Sequence, residues 1–305
     1  IPAVITLLAS SPGLFVGVCF VLGLVVGSFL NVVIHRVPIM MERQWREECA
    51  EIERPDDAAT LPAHPRAKER FNLVVPRSAC PACKSPITAL QNVPILSYLF
   101  LRGRCANCGV RISPRYPIVE ALTGILSAAV AWKLGFAWPA VAALVLTWFL
   151  VALAFIDIDH QLLPDSMTLP LLWLGVLLSL FAPAPGLAPI PVDMRSSIIG
   201  AIAGYLSLWT VYHLFRLLTA KEGMGYGDFK LLAALGAWLG WRMLLPTVVI
   251  AAAVGAVAGI ALLAARGQNR STPIAFGPFL AAAGWLMLMF GHELVTGYLG
   301  MFASG

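Results

Sequence analysis

Long apolar blocks fill most of this chain, and short polar breaks separate them. Eight blocks approach the length of about 20 residues that a helix needs to cross a bilayer. They lie near 12–34, 115–133, 138–157, 166–182, 197–218, 229–241, 245–265 and 275–299. The sixth block is short and contains Gly236 and Gly240, so it is either a lipid-facing span or a tilted half-span covered by protein. The pattern predicts an all-α polytopic membrane protein with about eight transmembrane helices.

Composition supports the same class and adds an orientation. Hydrophobic residues make up 59% of the chain and charged residues 12%, whereas soluble proteins average about 25% charged residues. The net charge is +5, but thirteen of the 21 Lys and Arg residues lie in 35–115. By the positive-inside rule this loop faces the cytoplasm. The charge therefore reflects topology, and we expect the lipid bilayer, not nucleic acid, as a partner.

The long polar loop divides the chain into three parts. We predict a first transmembrane span at 1–34, a small cytoplasmic domain at 35–115 and a transmembrane bundle at 116–305. Within the loop, residues 41–70 have mixed charge and few large apolar side chains. They predict a short surface helix followed by a flexible, proline-containing stretch.

Two CxxC pairs in the loop have the composition of a metal site. Cys80 and Cys83 form one pair, Cys105 and Cys108 the other, and 21 residues separate the pairs. Two such turns can surround one zinc ion with four thiolates, which leaves no open position for a substrate. Disulfides or redox thiols are the alternative, and a reducing compartment disfavours them. We predict a structural zinc site that stabilises a small domain.

Two acidic clusters lie where apolar blocks end, where ionised groups are costly and often functional. Asp228 follows Gly223, Gly225 and Gly227 at the start of one block. Such glycines permit unusual backbone conformations and close approach of a substrate strand. The alternative is that Asp228 only favours the positive end of a helix. Topology places both clusters on the cytoplasmic side, where paired aspartates could hydrolyse a peptide bond.

The other cluster contains three aspartates. Asp157 and Asp159 cannot be separated by spacing, although Asp157 lies nearer the apolar block. Asp165 follows Pro164 and is expected to start a helix as a capping residue. His160 is expected to be an ordinary interfacial polar residue.

Several motifs together resemble the bacterial prepilin peptidase family. The motif GxGD at 225–228 is shared with intramembrane aspartyl proteases in general. The more specific features are the segment 27–36, the paired CxxC turns, the segment 115–120, the acidic run 157–165 and the segment 225–232. The similarity extends from about residue 12 to residue 290.

This resemblance implies a membrane aspartyl endopeptidase at the bacterial inner membrane. Its members remove the basic leader of type IV prepilins and type II secretion pseudopilins, after a glycine at the cytoplasmic membrane face. The matching motifs imply Asp157 and Asp228 as the catalytic pair, which decides against Asp159, with Gly225 and Gly227 supporting the substrate and the loop.

Many members also methylate the new N-terminus with S-adenosylmethionine, and the cysteine loop is similar to that of these bifunctional members. No glycine-rich nucleotide fingerprint appears, so the residues that bind the methyl donor stay unassigned, with the loop and the segment around Glu120 as the places to search. Two alternatives from other classes are a proton- or cation-coupled transporter and a non-catalytic pilus or secretion scaffold. The sequence does not indicate an oligomeric state.

Overall fold

The computed structural model describes residues 2–52, 70–88, 90–182, 190–221, 224–266 and 275–303, and these ranges are almost entirely helical. They contain ten α-helices: α1 Pro2–Ser10, α2 Pro12–Ile52, α3 Leu96–Phe100, α4 Arg115–Leu134, α5 Trp138–His160, α6 Asp165–Ser179, α7 Met194–Thr219, α8 Tyr226–Leu239, α9 Leu244–Arg266 and α10 Gly277–Ala303. The only β-structure in the described ranges is two isolated bridges. The prediction of an all-α fold is confirmed. The proline-containing stretch after residue 52 and Gly223 lie outside the described residues.

Every predicted apolar block coincides with a helix. Six of the described helices are long and apolar enough to cross a membrane, namely α2, α4, α5, α7, α9 and α10. The other two blocks form α6, with 15 residues, and α8, with 14 residues. The chain is therefore a multi-pass membrane protein, with two short helices packed among longer ones.

Helix α2 extends well beyond its apolar part. It continues through Pro38 to Ile52 as a single helix of 41 residues. The charged end is supported by side-chain pairs four residues apart, for example Arg46 with Glu42 at 2.5 Å. The separate short surface helix expected after residue 41 is thus the continuation of the first span.

Helix α8 is the most enclosed element of the bundle. All its residues from Asp228 to Leu239 except Lys230 are buried. The backbones of Gly200 in α7 and Gly236 in α8 touch, because neither residue has a side chain to separate the helices. On the α6 side, Trp238 donates its indole N–H to the backbone oxygen of Leu171 at 2.8 Å. Helix α8 therefore matches the protein-covered alternative for the sixth block.

Residues 1–23 with 123–305 form one compact unit, and residues 24–122 form another. The acidic clusters belong to the first unit and the four loop cysteines to the second.

Candidate active site and metal centre

Asp157 lies in the last turn of α5 and points into the bundle. Only 5% of its surface is exposed. Its Oδ2 atom accepts a hydrogen bond from the backbone N–H of Gly277, at 3.0 Å, where α10 begins. Helix α5 stops three residues later, because Gln161 adopts a left-handed conformation and closes the end by donating its N–H to the Asp157 backbone oxygen. The carboxylate is therefore held by a segment 120 residues away.

Asp228 lies in the first turn of α8, after the N-cap residue Gly225. It is 7% exposed, and its backbone N–H donates to the backbone oxygen of Gly225 at 3.3 Å. The charge of Asp157 acts directly on Asp228, so the two carboxyl groups lie within electrostatic range of each other. In contrast, Asp159 and His160 are exposed at the end of α5. The structure thus brings together Asp157 and Asp228 and leaves Asp159 in contact with solvent.

Leu163 is packed between two glycines, each of which lies beside one of the two aspartates. It is 7% exposed and lies in the short connection between α5 and α6. A Cβ atom added to Gly227 would lie 2.7 Å from the Leu163 Cβ, and one added to Gly277 would lie 3.1 Å from its Cδ1. Leu163 therefore lies against both glycines, one beside each aspartate in the site.

Lack of space explains the glycine at position 227, and backbone conformation requires a glycine at neither 225 nor 227. Gly225 has φ −80°, which any residue can adopt, and neither Gly225 nor Gly227 has a positive φ. The expectation of an unusual backbone at these two positions is wrong. Gly227 instead removes the side chain that would collide with Leu163.

Asp165 and Lys230 connect α6 with α8. Asp165 is the first residue of α6, and its helix has no side-chain cap. Its two carboxylate oxygens each accept a hydrogen bond from the Lys230 ammonium, at 2.6 Å. The capping role predicted for Asp165 is therefore replaced by an ion pair, although the helix does start at this residue.

Two neighbouring carboxyl groups with little access to water cannot easily both be ionised. Ionising both would place like charges close together in a medium that solvates them poorly. A pair of this kind holds one proton between its two members, so one carboxylate can act as a base while the other acts as an acid. This arrangement suits the activation of a water molecule.

The four loop cysteines form a compact cluster in the second unit. Their Sγ atoms all lie within 4.8 Å of one another, as ligands of a single metal ion require. The two turns have the same backbone design. Cys80 N–H bonds to Ser85 O and Cys105 N–H to Val110 O, and the residue after each second cysteine, Lys84 or Gly109, has a positive φ.

The thiols of the cluster differ in acidity, because burial and the neighbouring cysteines raise the pKa of Cys108 to about 11. All six cysteines of the chain are free thiols, and the Sγ atoms of Cys80 and Cys108 lie 3.8 Å apart. The Asn107 side-chain amide donates a hydrogen bond to Cys83, which lowers the pKa of this thiol to about 6. Metals bind the thiolate form. The cluster can therefore hold a metal ion.

Glu120 lies in a buried polar group of the same unit. Its carboxylate accepts the backbone N–H of Ile95 at 2.8 Å and lies near the hydroxyl of Ser28. Asn31 lies in α2, as Ser28 does, and its side-chain amide donates to the backbone oxygen of Tyr116 at 3.1 Å. Glu120 thus holds the start of α3, where Ile95 has a positive φ of 58°.

An open cavity of about 540 Å³, lined mostly by exposed residues, lies at the surface of the cysteine-bearing unit. Its lining includes Arg102, Arg104 and Arg111, together with Tyr98 and Gly103. None of the described residues that line it is acidic. The cavity is therefore suited to an anionic group.

Comparison with known proteins places these features in a family. Residues 21–134 match the model of the bacterial peptidase A24 N-terminal domain, and residues 144–260 match that of the type IV leader peptidase family. The chain is 52% identical over 288 residues to a prepilin leader peptidase/N-methyltransferase of Aeromonas hydrophila, covering 94% of this chain and 95% of that protein. The chain belongs to the type IV leader peptidase family.

Other relatives support the same membership. A protein of the same name from Pseudomonas aeruginosa is 49% identical over 96% of both chains, and one from Neisseria gonorrhoeae is 49% identical over 88% of this chain and 87% of its own. No solved structure matches the chain. The resemblance to the prepilin peptidase family is therefore confirmed.

Three residues of the candidate site in this leader peptidase family member were not predicted from its sequence. Lys230 follows the GxGD motif by two positions, but its partner Asp165 is 65 residues away. Leu163 is one of many apolar residues. Gly277 precedes Pro278 at the start of an apolar block, which signals a helix start, but nothing in the sequence indicates which side chain its N–H would contact.

Proposed function

We propose that this protein is a membrane aspartyl endopeptidase in which Asp157 and Asp228 are the catalytic pair. The observation that supports this most directly is that both carboxyl groups are buried and interact electrostatically at the ends of two helices. Family membership supports it independently, because the relatives are named prepilin leader peptidases.

The two carboxyl groups divide the work of hydrolysis. The ionised member takes a proton from water, and the water oxygen adds to the scissile carbonyl carbon. The protonated member gives its proton to the carbonyl oxygen, which forms a neutral tetrahedral diol. The proton taken from water then goes to the leaving nitrogen as the C–N bond breaks, and a diol hydroxyl returns the other proton. No covalent intermediate forms, and the pair returns to its starting state.

The substrates in this proposal are type IV prepilins and type II secretion pseudopilins. A basic leader remains in the cytoplasm while the following apolar helix lies in the bilayer, so cleavage after the glycine occurs at the cytoplasmic face of the inner membrane. The concentration of Lys and Arg in 35–115 supports this orientation. Gly225 leaves room before α8, and Gly227 allows the start of α8 to lie against Leu163.

The four cysteines would hold a structural zinc ion. Four thiolates complete a tetrahedron, so zinc would stabilise the fold of the cysteine loop and take no part in hydrolysis. The short spacing of the Sγ atoms and the lowered pKa of Cys83 both suit this role.

The second activity in this proposal is methylation of the new N-terminus with S-adenosylmethionine as the methyl donor; the relatives are named N-methyltransferases. The arginine-lined cavity fits the carboxylate of such a donor but offers no acidic group near its positive sulfonium. We therefore assign no residue to the donor.

Aspartate substitutions test the peptidase. Asp157→Asn and Asp228→Asn should each abolish cleavage of a prepilin by the purified enzyme, whereas the exposed Asp159→Asn should retain most of it. Mass spectrometry of the product, with and without methyl donor, detects leader loss and the added methyl separately. Cleavage by either of the first two variants would exclude the assigned pair.

A further inference from the structure

The backbone amide of Gly277 contacts the Asp157 carboxylate directly. Gly277 is the first residue of α10, and its N–H lies 3.0 Å from Asp157 Oδ2 in a buried position. The first N–H groups of a helix have no partner within that helix. They lie at the positive end of the helix dipole and favour a negative charge. Hydrogen bonds to ionised groups are also stronger than those between neutral groups.

Only a residue without a side chain can make this contact. A Cβ atom at position 277 would lie 2.5 Å from Asp157 Oδ2 and 3.2 Å from its Cγ. Either the carboxylate or the start of α10 would have to move. The glycine therefore allows α10 to approach the carboxylate closely enough for its N–H to donate.

Asp157 needs an external donor more than Asp228 does. Asp228 lies at the N-terminal end of its own helix, where the dipole favours a carboxylate. Asp157 lies at the C-terminal end of α5, where the dipole opposes a negative charge. The start of α10 compensates for this unfavourable position.

We propose that the Gly277 amide is a positioning group of the active site, which orients Asp157 and allows it to carry the negative charge of the pair. The proposal depends on the proposed catalytic role of Asp157. It makes the start of α10 a third segment of the site, beside the end of α5 and the start of α8.

The sharpest test replaces one backbone N–H with oxygen and changes no side chain. Glycolic acid incorporated at position 277 of the full-length enzyme converts this amide to an ester. We expect kcat for prepilin cleavage to fall about 10- to 100-fold, the range for losing one hydrogen bond to a charged group, with KM within about twofold. The split between kcat and KM separates a role in the reaction from one in substrate binding.

A matched control lies in the same helix. Gly284 is also a glycine of α10, packed against Leu235. The ester at 284 removes a backbone N–H of the same helix but leaves Asp157 unaffected, so kcat should stay within about twofold of wild type. Gly284→Ala would place a Cβ 2.5 Å from Leu235 Cδ2, so this variant should lower stability without a specific loss of kcat. Gly277→Ala, in contrast, should lose cleavage.

The outcomes separate this proposal from the proposed function. A 277 ester with wild-type kcat would overturn the positioning role while an inactive Asp157→Asn variant still supported the catalytic pair. An equal loss of kcat in the 277 and 284 esters would also overturn it, because the effect would then follow from weakening α10. Cleavage by Asp157→Asn would overturn both.

Discussion

Gly227→Ala should damage catalysis more than it damages folding. The added Cβ would lie 2.7 Å from the Leu163 Cβ, whereas carbon atoms in contact are normally about 3.5–4.0 Å apart. One of the two segments must therefore move by roughly 1 Å. Leu163 is buried between the glycine beside Asp228 and the glycine that contacts Asp157, so this movement reaches the proposed catalytic pair.

The expected loss of stability is small, whereas the expected loss of reaction rate is large. Overpacking typically costs about 1–3 kcal/mol of unfolding free energy, and the better helix propensity of alanine offsets about 1 kcal/mol of this cost. The net loss of stability should be about 1 kcal/mol. A misplacement of about 1 Å in an active site can lower the rate on the order of 100-fold.

The assay compares initial rates of prepilin cleavage with unfolding in the same detergent. Gly175→Ala is the matched control, because its Cβ would lie 2.6 Å from Trp238 Cδ1, away from the aspartates. It should lower stability by a similar amount but keep kcat. If Gly227→Ala keeps more than about a third of wild-type kcat, or if Gly175→Ala loses as much as Gly227→Ala, the reasoning from a 1 Å displacement is wrong.

Two further predictions concern the metal centre and the packing of α8. Cys80→Ser should lower the zinc content measured in the purified protein. Cys49→Ser, at an exposed cysteine outside the cluster, is the control and should keep the zinc content. Unchanged zinc content in Cys80→Ser would contradict a four-thiolate site. Trp238→Phe should lower the unfolding free energy by about 1–3 kcal/mol, because the buried indole hydrogen bond to the Leu171 oxygen and part of the ring's packing are lost. Trp173→Phe, at a residue 67% exposed, is the control, and equal effects of the two would argue against this bond.

The sequence predicts local features of this protein well because they depend on composition and short spacing. Each apolar block forms a helix, and the two CxxC turns bring four thiols together. The choice between Asp157 and Asp159 needed the family resemblance, since both lie near the end of the same helix. Their burial distinguishes them only in the fold.

Contacts between distant segments could not be predicted. Gly277 and Asp157 are 120 positions apart, and Lys230 and Asp165 are 65 apart. A backbone N–H is present at nearly every residue, so no residue type marks the one that contacts a carboxylate. The length of α2 was missed for a different reason, since a helix can continue into charged sequence when pairs such as Glu42 and Arg46 support it.

The enclosure of α8 limits the routes by which a polypeptide can arrive at Asp228. Helices α6 and α7 cover its flanks, and Leu235 packs against Gly284 of α10. Within residues 224–239, only Gly225 and Tyr226 at the beginning of the helix are exposed. In the proposed function, a pilin precursor would therefore have to bring its cleavage site to the exposed beginning of α8. Its apolar helix would remain outside the bundle.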